Sequence, residues 1–141
     1  VACATPSVNA TTKELATTLL PAVGLVEWIN DESLMDAVTA VSGSGPAYVF
    51  LLMEELAKAG VAAGLPESLS LKLARQTVIG SAQLAASDPK TSASTLRQNV
   101  TSPNGTTAAA LEVLMSDTGL APLMIKAIDA ATRRSRELAA S

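Results

Sequence analysis

The sequence predicts a mainly α-helical protein opened by a short β-α-β segment, and three observations lead there. Of its 141 residues 48% are hydrophobic but only 2% are aromatic. Apolar volume therefore comes from Ala, Leu and Val, which suit close-packed helices better than stacked sheets. From Asp31 onward, apolar residues recur at helical spacing between cap and breaker residues. Only near the start do two short apolar runs, residues 1–5 (VACAT) and 25–29 (LVEWI), read as strands.

Between those strands, Asn9-Ala10-Thr11-Thr12 caps a short amphipathic helix with Leu15, Leu19, Leu20 and Val23 on one face, and Gly24 stops it. Strand, helix and strand make a crossover unit, but two strands alone do not form a stable sheet, so this segment wants neighbours. Asp31 or Ser33 caps the next helix, which carries Leu34, Met35, Val38 and Val41. Residues 42–46 (SGSGP) are expected to break it, because two glycines and a proline continue a helix poorly. Pro46 suits the first turn of a following helix, whose residues 48–53 (YVFLLM) are apolar on every side. Such a helix is buried on all faces, most easily between two subunits in a chain this small.

Gly60 and Gly64 close that helix, and Leu65-Pro66-Glu67 starts a long one running to about Ser87. Gly80 inside it costs about 1 kcal/mol relative to alanine, and close helix packing is the expected reason. Ser87-Asp88-Pro89-Lys90 forms a loop, and a short helix spans Ser92 to Gln98. After Asp117-Thr118-Gly119 a last helix carries Leu123, Ile125, Ile128 and Leu138. Arg133, Arg134 and Arg136 near its end suit the negative pole of the helix dipole, with phosphate binding as the alternative reading.

Several function classes are excluded. Net charge is −3 with acids and bases interspersed, so no basic footprint points to nucleic acid. No apolar run reaches membrane-spanning length, and no charged n-region with a following h-region opens the chain. The single cysteine, Cys3, cannot form an internal disulfide and fits a reducing, cytoplasmic setting. The absence of histidine removes Ser-His-Asp and Cys-His catalysis, and no metal is expected. Proton transfer falls to a hydroxyl, a lysine, a carboxylate or water.

The stretch richest in chemistry is residues 100–115, VTSPNGTTAAALEVLM. Pro103 fixes its own φ, while Asn104 and Gly105 tolerate left-handed backbone. Thr106 and Thr107 open a helix with Ala109, Ala110, Val113 and Leu114 available for a buried face. The backbone N–H groups of Gly105, Thr106 and Thr107 are expected to point into open space at the positive end of the dipole. They form a site for a small anion with hydroxyls beside it. The same residues also describe a plain helix N-cap.

Residues 102–114, SPNGTTAAALEVL, resemble a characteristic segment of the pyrroline-5-carboxylate reductase family. Residues 36–48, DAVTAVSGSGPAY, resemble a second, and residues 60–66, GVAAGLP, a third, in the family's order and spacing. Asn104 stands where glycine is commoner, and Thr106 where alanine or threonine occurs; neither removes a backbone donor. The resemblance implies residues 1–30 as the tail of a truncated Rossmann-type dinucleotide-binding domain and 31–141 as a helical dimerisation and substrate-binding domain. No GxGxxG is present, and Gly43-Ser44-Gly45-Pro46 follows a helix rather than a strand. A truncated or proteolysed product, itself inactive, is therefore expected.

The implied reaction is reduction of 1-pyrroline-5-carboxylate to L-proline by NADPH or NADH. Ser102, Asn104, Gly105, Thr106 and Thr107 are the implied substrate-binding residues. Thr107 is the catalytic candidate, its hydroxyl directed at the imine nitrogen. A homodimer is implied, with assembly of dimers into a higher oligomer left open. The alternatives are a helical oligomerisation module without catalysis, or the substrate domain of a related NAD(P)-dependent dehydrogenase. Lys72 and Lys126 are the general-base candidates of that last reading.

Overall fold

The first apolar run forms β1 (Ala2–Cys3), which pairs in parallel with β2 (Trp28–Ile29), Ala2 opposite Trp28 and Cys3 opposite Ile29. The protein is represented by a computed structural model that describes residues 1–140. Helix α1 (Ala10–Leu19) joins the strands, and the Asn9 side chain accepts the Thr12 N–H at 2.8 Å as its cap. The α-helix stops before Val23, because Pro21 withholds a donor and residues Leu20–Ala22 tighten into a 3₁₀ turn. Gly24 then takes φ 153°, which only glycine adopts readily. Trp28 fastens β2 to α1: its Nε1 donates to Thr17 Oγ1 at 2.9 Å, and Lys13 Nζ lies 4.8 Å from the ring centroid.

The described residues pack as two units, one of Val1–Ser44 with the chain from Ala127 onward, the other Gly45–Lys126. In the first, Asp31 caps a 3₁₀ turn, its carboxylate accepting the Ser33 N–H at 2.9 Å, and α2 (Met35–Val38) follows. The expected break at SGSGP does not occur in that form. The backbone instead widens into a π-helical turn, Thr39–Gly43, in which the Ser44 N–H reaches the Thr39 carbonyl at 2.9 Å. After a bend at Ser44 alone, α3 (Gly45–Ala62) resumes, with Pro46 in the first turn where its missing N–H is no loss.

In the second unit α3 ends in a Schellman motif. The Leu65 N–H bonds the Gly60 carbonyl at 3.0 Å, the Gly64 N–H bonds Val61 at 2.9 Å, and Gly64 takes φ 101°. Helix α4 (Glu67–Ser87) folds back on α3 through small residues. Ala57, Ser70 and Ala74 are buried, and Ser70 Oγ donates to the Ala57 carbonyl at 2.7 Å. A Cβ on Gly60 would collide with Ser70 Oγ. The close approach thus belongs to Gly60. Gly80, expected to mark it, would carry a Cβ with nothing within 4 Å in this chain.

Helices α5 (Ala93–Asn99, capped by Ser92), α6 (Thr106–Leu114) and α7 (Leu120–Ala139) complete the chain. Among the described residues the buried ones are Ala40, Ala57, Ser70 and Ala74, all small. Large apolar side chains lie open instead, Val23 at 88% and Phe50 at 60% exposure among them. Among the described residues no helix is long and apolar enough to cross a membrane.

Candidate functional site

The turn ahead of α6 is built by its own sequence. The Ser102 carbonyl accepts the Gly105 N–H at 3.0 Å, which closes a tight turn around Pro103 and Asn104. Asn104 sits at φ 58°, the left-handed region that asparagine tolerates better than most residues. Gly105 is the N-cap of α6 at an ordinary φ of −84°, and no side chain caps the helix. A Cβ at Gly105 would lie 3.1 Å from the Ser102 carbonyl oxygen, so the turn's tightness rather than its dihedral favours glycine here.

This geometry corrects one expectation. The Gly105 N–H is consumed by the turn and does not point into open space. The first backbone bond onto the helix is Ala109 N–H to the Gly105 carbonyl at 3.2 Å. The N–H groups of Thr106, Thr107 and Ala108 therefore have no acceptor among the described residues. Ala108 is the donor that sequence reasoning missed. Placing the first helical residue at Thr106 rather than Gly105 would have found it.

The hydroxyls of Ser102, Thr106 and Thr107 have no hydrogen-bond partner among the described residues, and all three residues are exposed. No acidic residue occupies the first turn of α6, so no side-chain carboxylate competes for the amides. Behind the turn, Thr101 Oγ1 donates to the Arg97 carbonyl at 2.6 Å, tying it to the end of α5. The arrangement offers three aligned donors at a dipole's positive end with hydroxyls alongside. It can hold a carboxylate and orient the group attached to it.

Other candidates disperse. Lys72 and Lys126 are exposed on α4 and α7. Arg134 pairs with Glu137 at 2.8 Å and Arg136 stands 3.6 Å from Asp36, so these arginines meet carboxylates. Cys3 is a free, half-buried strand residue. Among the described residues no three metal-ligating side chains come together. Gly43-Ser44-Gly45-Pro46 lies at the end of the π-helical turn and does not form a phosphate cradle after a strand.

Residues 32–138 match the family model described as pyrroline-5-carboxylate reductase dimerisation. A pyrroline-5-carboxylate reductase of Pseudomonas aeruginosa is 48% identical over 136 residues, 96% of this chain and 49% of that protein. One from Synechocystis is 50% identical over 123 residues, 87% of this chain and 45% of that protein. Among solved structures, a pyrroline-5-carboxylate reductase from Coxiella burnetii matches with a TM-score of 0.87 at 44% identity, over 96% of this chain and 50% of that one. The Plasmodium falciparum enzyme, described with NADP bound, matches with a TM-score of 0.77 at 35% identity over 96% of this chain and 50% of that one. The chain spans about half the length of the relatives it matches. With all three of its characteristic segments inside the matched span and the fold shared along nearly its whole length, the chain belongs to the pyrroline-5-carboxylate reductase dimerisation family.

Proposed function

We propose that this chain supplies the helical, substrate-binding and dimer-forming half of a pyrroline-5-carboxylate reductase. The assembled enzyme reduces 1-pyrroline-5-carboxylate to L-proline with NADPH or NADH. The observation that carries the reading is the row of unsatisfied amides at Thr106, Thr107 and Ala108, within a family match spanning residues 32–138. A five-membered cyclic imine offers little to grip besides its carboxylate, and that group fits the α6 N-terminus. Asn104 and Gly105 shape the turn, and Ser102 adds a hydroxyl beside it. Thr107 Oγ1 is proposed at the imine nitrogen, where it orients the ring and relays a water proton as nitrogen gains one.

When bound, the reduced nicotinamide supplies the hydride to the C=N carbon. The 141 residues hold no GxGxxG, so the pyrophosphate is assigned to a dinucleotide-binding domain of which residues 1–30 form the end. The NADP in the Plasmodium falciparum structure favours NADPH as the partner cofactor.

The homodimer rests on exposed apolar surface. Val49, Phe50, Leu51 and Leu52 of α3, with Leu71 and Leu73 of α4, are open in the single chain. Obligate interfaces of this apolar kind bury upwards of about 2,000 Å².

The test is a chimera in which this chain replaces the matching half of the Pseudomonas aeruginosa relative. NADPH oxidation dependent on pyrroline-5-carboxylate supports the reading. A folded, dimeric chimera that binds NADPH without turnover leaves only an oligomerisation module.

A further inference from the structure

The chain's asparagines have different neighbours: Asn9-Ala10, Asn30-Asp31, Asn99-Val100 and Asn104-Gly105. Only after Asn104 does the next backbone nitrogen belong to a residue with no side chain to crowd it. Asn9 is further engaged, its Oδ1 accepting the Thr12 N–H at 2.8 Å. The Asn104 side chain, by contrast, is exposed and makes no hydrogen bond among the described residues. Its backbone at φ 58°, after Pro103, fits the third position of a type II turn. One backbone bond closes that turn, from the Gly105 N–H to the Ser102 carbonyl at 3.0 Å. An exposed turn closed by one such bond opens at low free energy, and opening releases the Gly105 nitrogen beside the Asn104 side-chain amide.

Asparagine is a thermolabile residue, and the released nitrogen is the nucleophile its breakdown requires. After losing its proton to base, the Gly105 nitrogen attacks Asn104 Cγ and forms a new N–Cγ bond. The Cγ–Nδ2 bond breaks, and Nδ2 leaves as ammonia with a proton from water. Water then opens the five-membered succinimide at one of its two carbonyls. Breaking the N–Cγ bond leaves aspartate, and breaking the bond to the main-chain carbonyl carbon leaves isoaspartate. The sum is amide plus water to carboxylic acid plus ammonia, with no change of oxidation state.

We propose that Asn104 is a self-modifying residue, deamidated through Gly105, and that the carboxylate it gains weakens substrate binding at the start of α6. The second half rests on the reading of the Thr106, Thr107 and Ala108 amides as a carboxylate site. The first turn of α6 holds no acidic residue, so the new charge is the first carboxylate placed there by the chain itself. The positive end of the helix dipole favours its ionised form, which both competes for the amides and repels an incoming carboxylate. In isoaspartate the main chain also runs through Cβ and Cγ, which lengthens the turn and misaligns the Gly105 N–H from Ser102.

The test incubates the folded chain in mildly alkaline buffer and follows it by peptide mass spectrometry and isoelectric focusing. The expected result is a more acidic species, modified at Asn104 as a mixture of aspartate and isoaspartate, with Asn9, Asn30 and Asn99 intact. The Asn104→Gly variant, which has no amide to lose, stays unmodified. An Asn104 that stays intact in the folded chain but deamidates in urea shows that the turn protects it, and overturns the proposal. Binding is read by NMR titration with L-proline. Aged wild type and fresh Asn104→Asp should each bind about fivefold more weakly than fresh wild type, the effect of a like charge about 4 Å away in water. Aged Asn104→Gly should keep the affinity it had when fresh. Aged wild type carries the test alone should Asn104→Asp fail to fold. Deamidation at Asn104 with undiminished proline affinity overturns the second half. Fresh wild type that shows no proline shifts at Thr106, Thr107 and Ala108 overturns the carboxylate reading and the loss of binding with it, while the mass spectrum decides the modification separately.

Discussion

The tightest contact in the second unit supports a quantitative prediction. Ser70 Oγ is held by the Ala57 carbonyl at 2.7 Å, in the space a Cβ on Gly60 would enter. That Cβ would also lie 3.3 Å from Ser70 Cβ and 3.3 Å from Leu65 Cδ1. Gly60→Ala gains about 1 kcal/mol of helix propensity but overpacks the contact by about 1–3 kcal/mol. If the hydroxyl instead swings away, it loses a net bond of about 1 kcal/mol and is left buried without a partner. The expected outcome is a loss of about 1–2 kcal/mol. Ser70→Ala alone loses about 1 kcal/mol, since only the hydroxyl's own bond disappears.

In the Ser70→Ala background the obstacle is gone, and only the 3.3 Å contacts remain for neighbours to relieve. Gly60→Ala should then cost close to nothing, a coupling of about 1–2 kcal/mol between the two sites. Urea unfolding at one fixed protein concentration measures all four corners of the cycle. If Gly60→Ala costs the same in both backgrounds, the α3–α4 packing argued above is wrong.

Three further predictions concern assembly, pH and chemistry. Light scattering at low micromolar concentration should give twice the mass of one chain, and a folded monomer would contradict the reading of the α3 and α4 surface. The carboxyl of Asp31 is pulled below its ordinary value of 3.8, first by hydrogen bonding to the Ser33 side chain and then by the Ser33 backbone N–H. Because the folded value is the lower one, this stabilisation is full above pH 3.8 and fades as pH falls through the folded value. Asp31→Asn should therefore flatten the acid limb of a thermal-melt series, and an unchanged limb would remove Asp31 from the cause. In the assembled enzyme, Thr107→Val should lower kcat while leaving the affinity for proline nearly intact, because the backbone donors remain. Equal losses in both would place the hydroxyl on the carboxylate instead.

What was legible in the sequence was local. Asn9 capping α1, the restart at Glu67 and the left-handed Asn104 each depend on residues within four positions, and each is found where expected. The SGSGP segment misled because its glycines and proline are poor α-formers, yet a bond five residues long carries the chain through them. Gly80 and Gly60 are indistinguishable by propensity. Only the partner helix, which places Ser70 against one and nothing against the other, separates them. The pairing of Asp36 with Ser135 had no signal at all, since no periodicity connects residues so far apart. At the α6 turn, the sequence located the turn and the helix that follows it, but not which amides are left free. A turn bond that consumes the Gly105 N–H shifts the free amides one residue along, to Ala108.

The central claim is that those amides hold a carboxylate, and NMR titration of the chain with L-proline tests it most directly. Without a nicotinamide stacked on the ring, binding should be weak, with a midpoint in the millimolar range. The account predicts saturable shifts at the amides of Thr106, Thr107 and Ala108, with Gly105 moving less because its N–H stays on the Ser102 carbonyl. Saturable shifts elsewhere, with these three unmoved, would show that the turn is only a helix cap and that the carboxylate site lies in another part of the molecule.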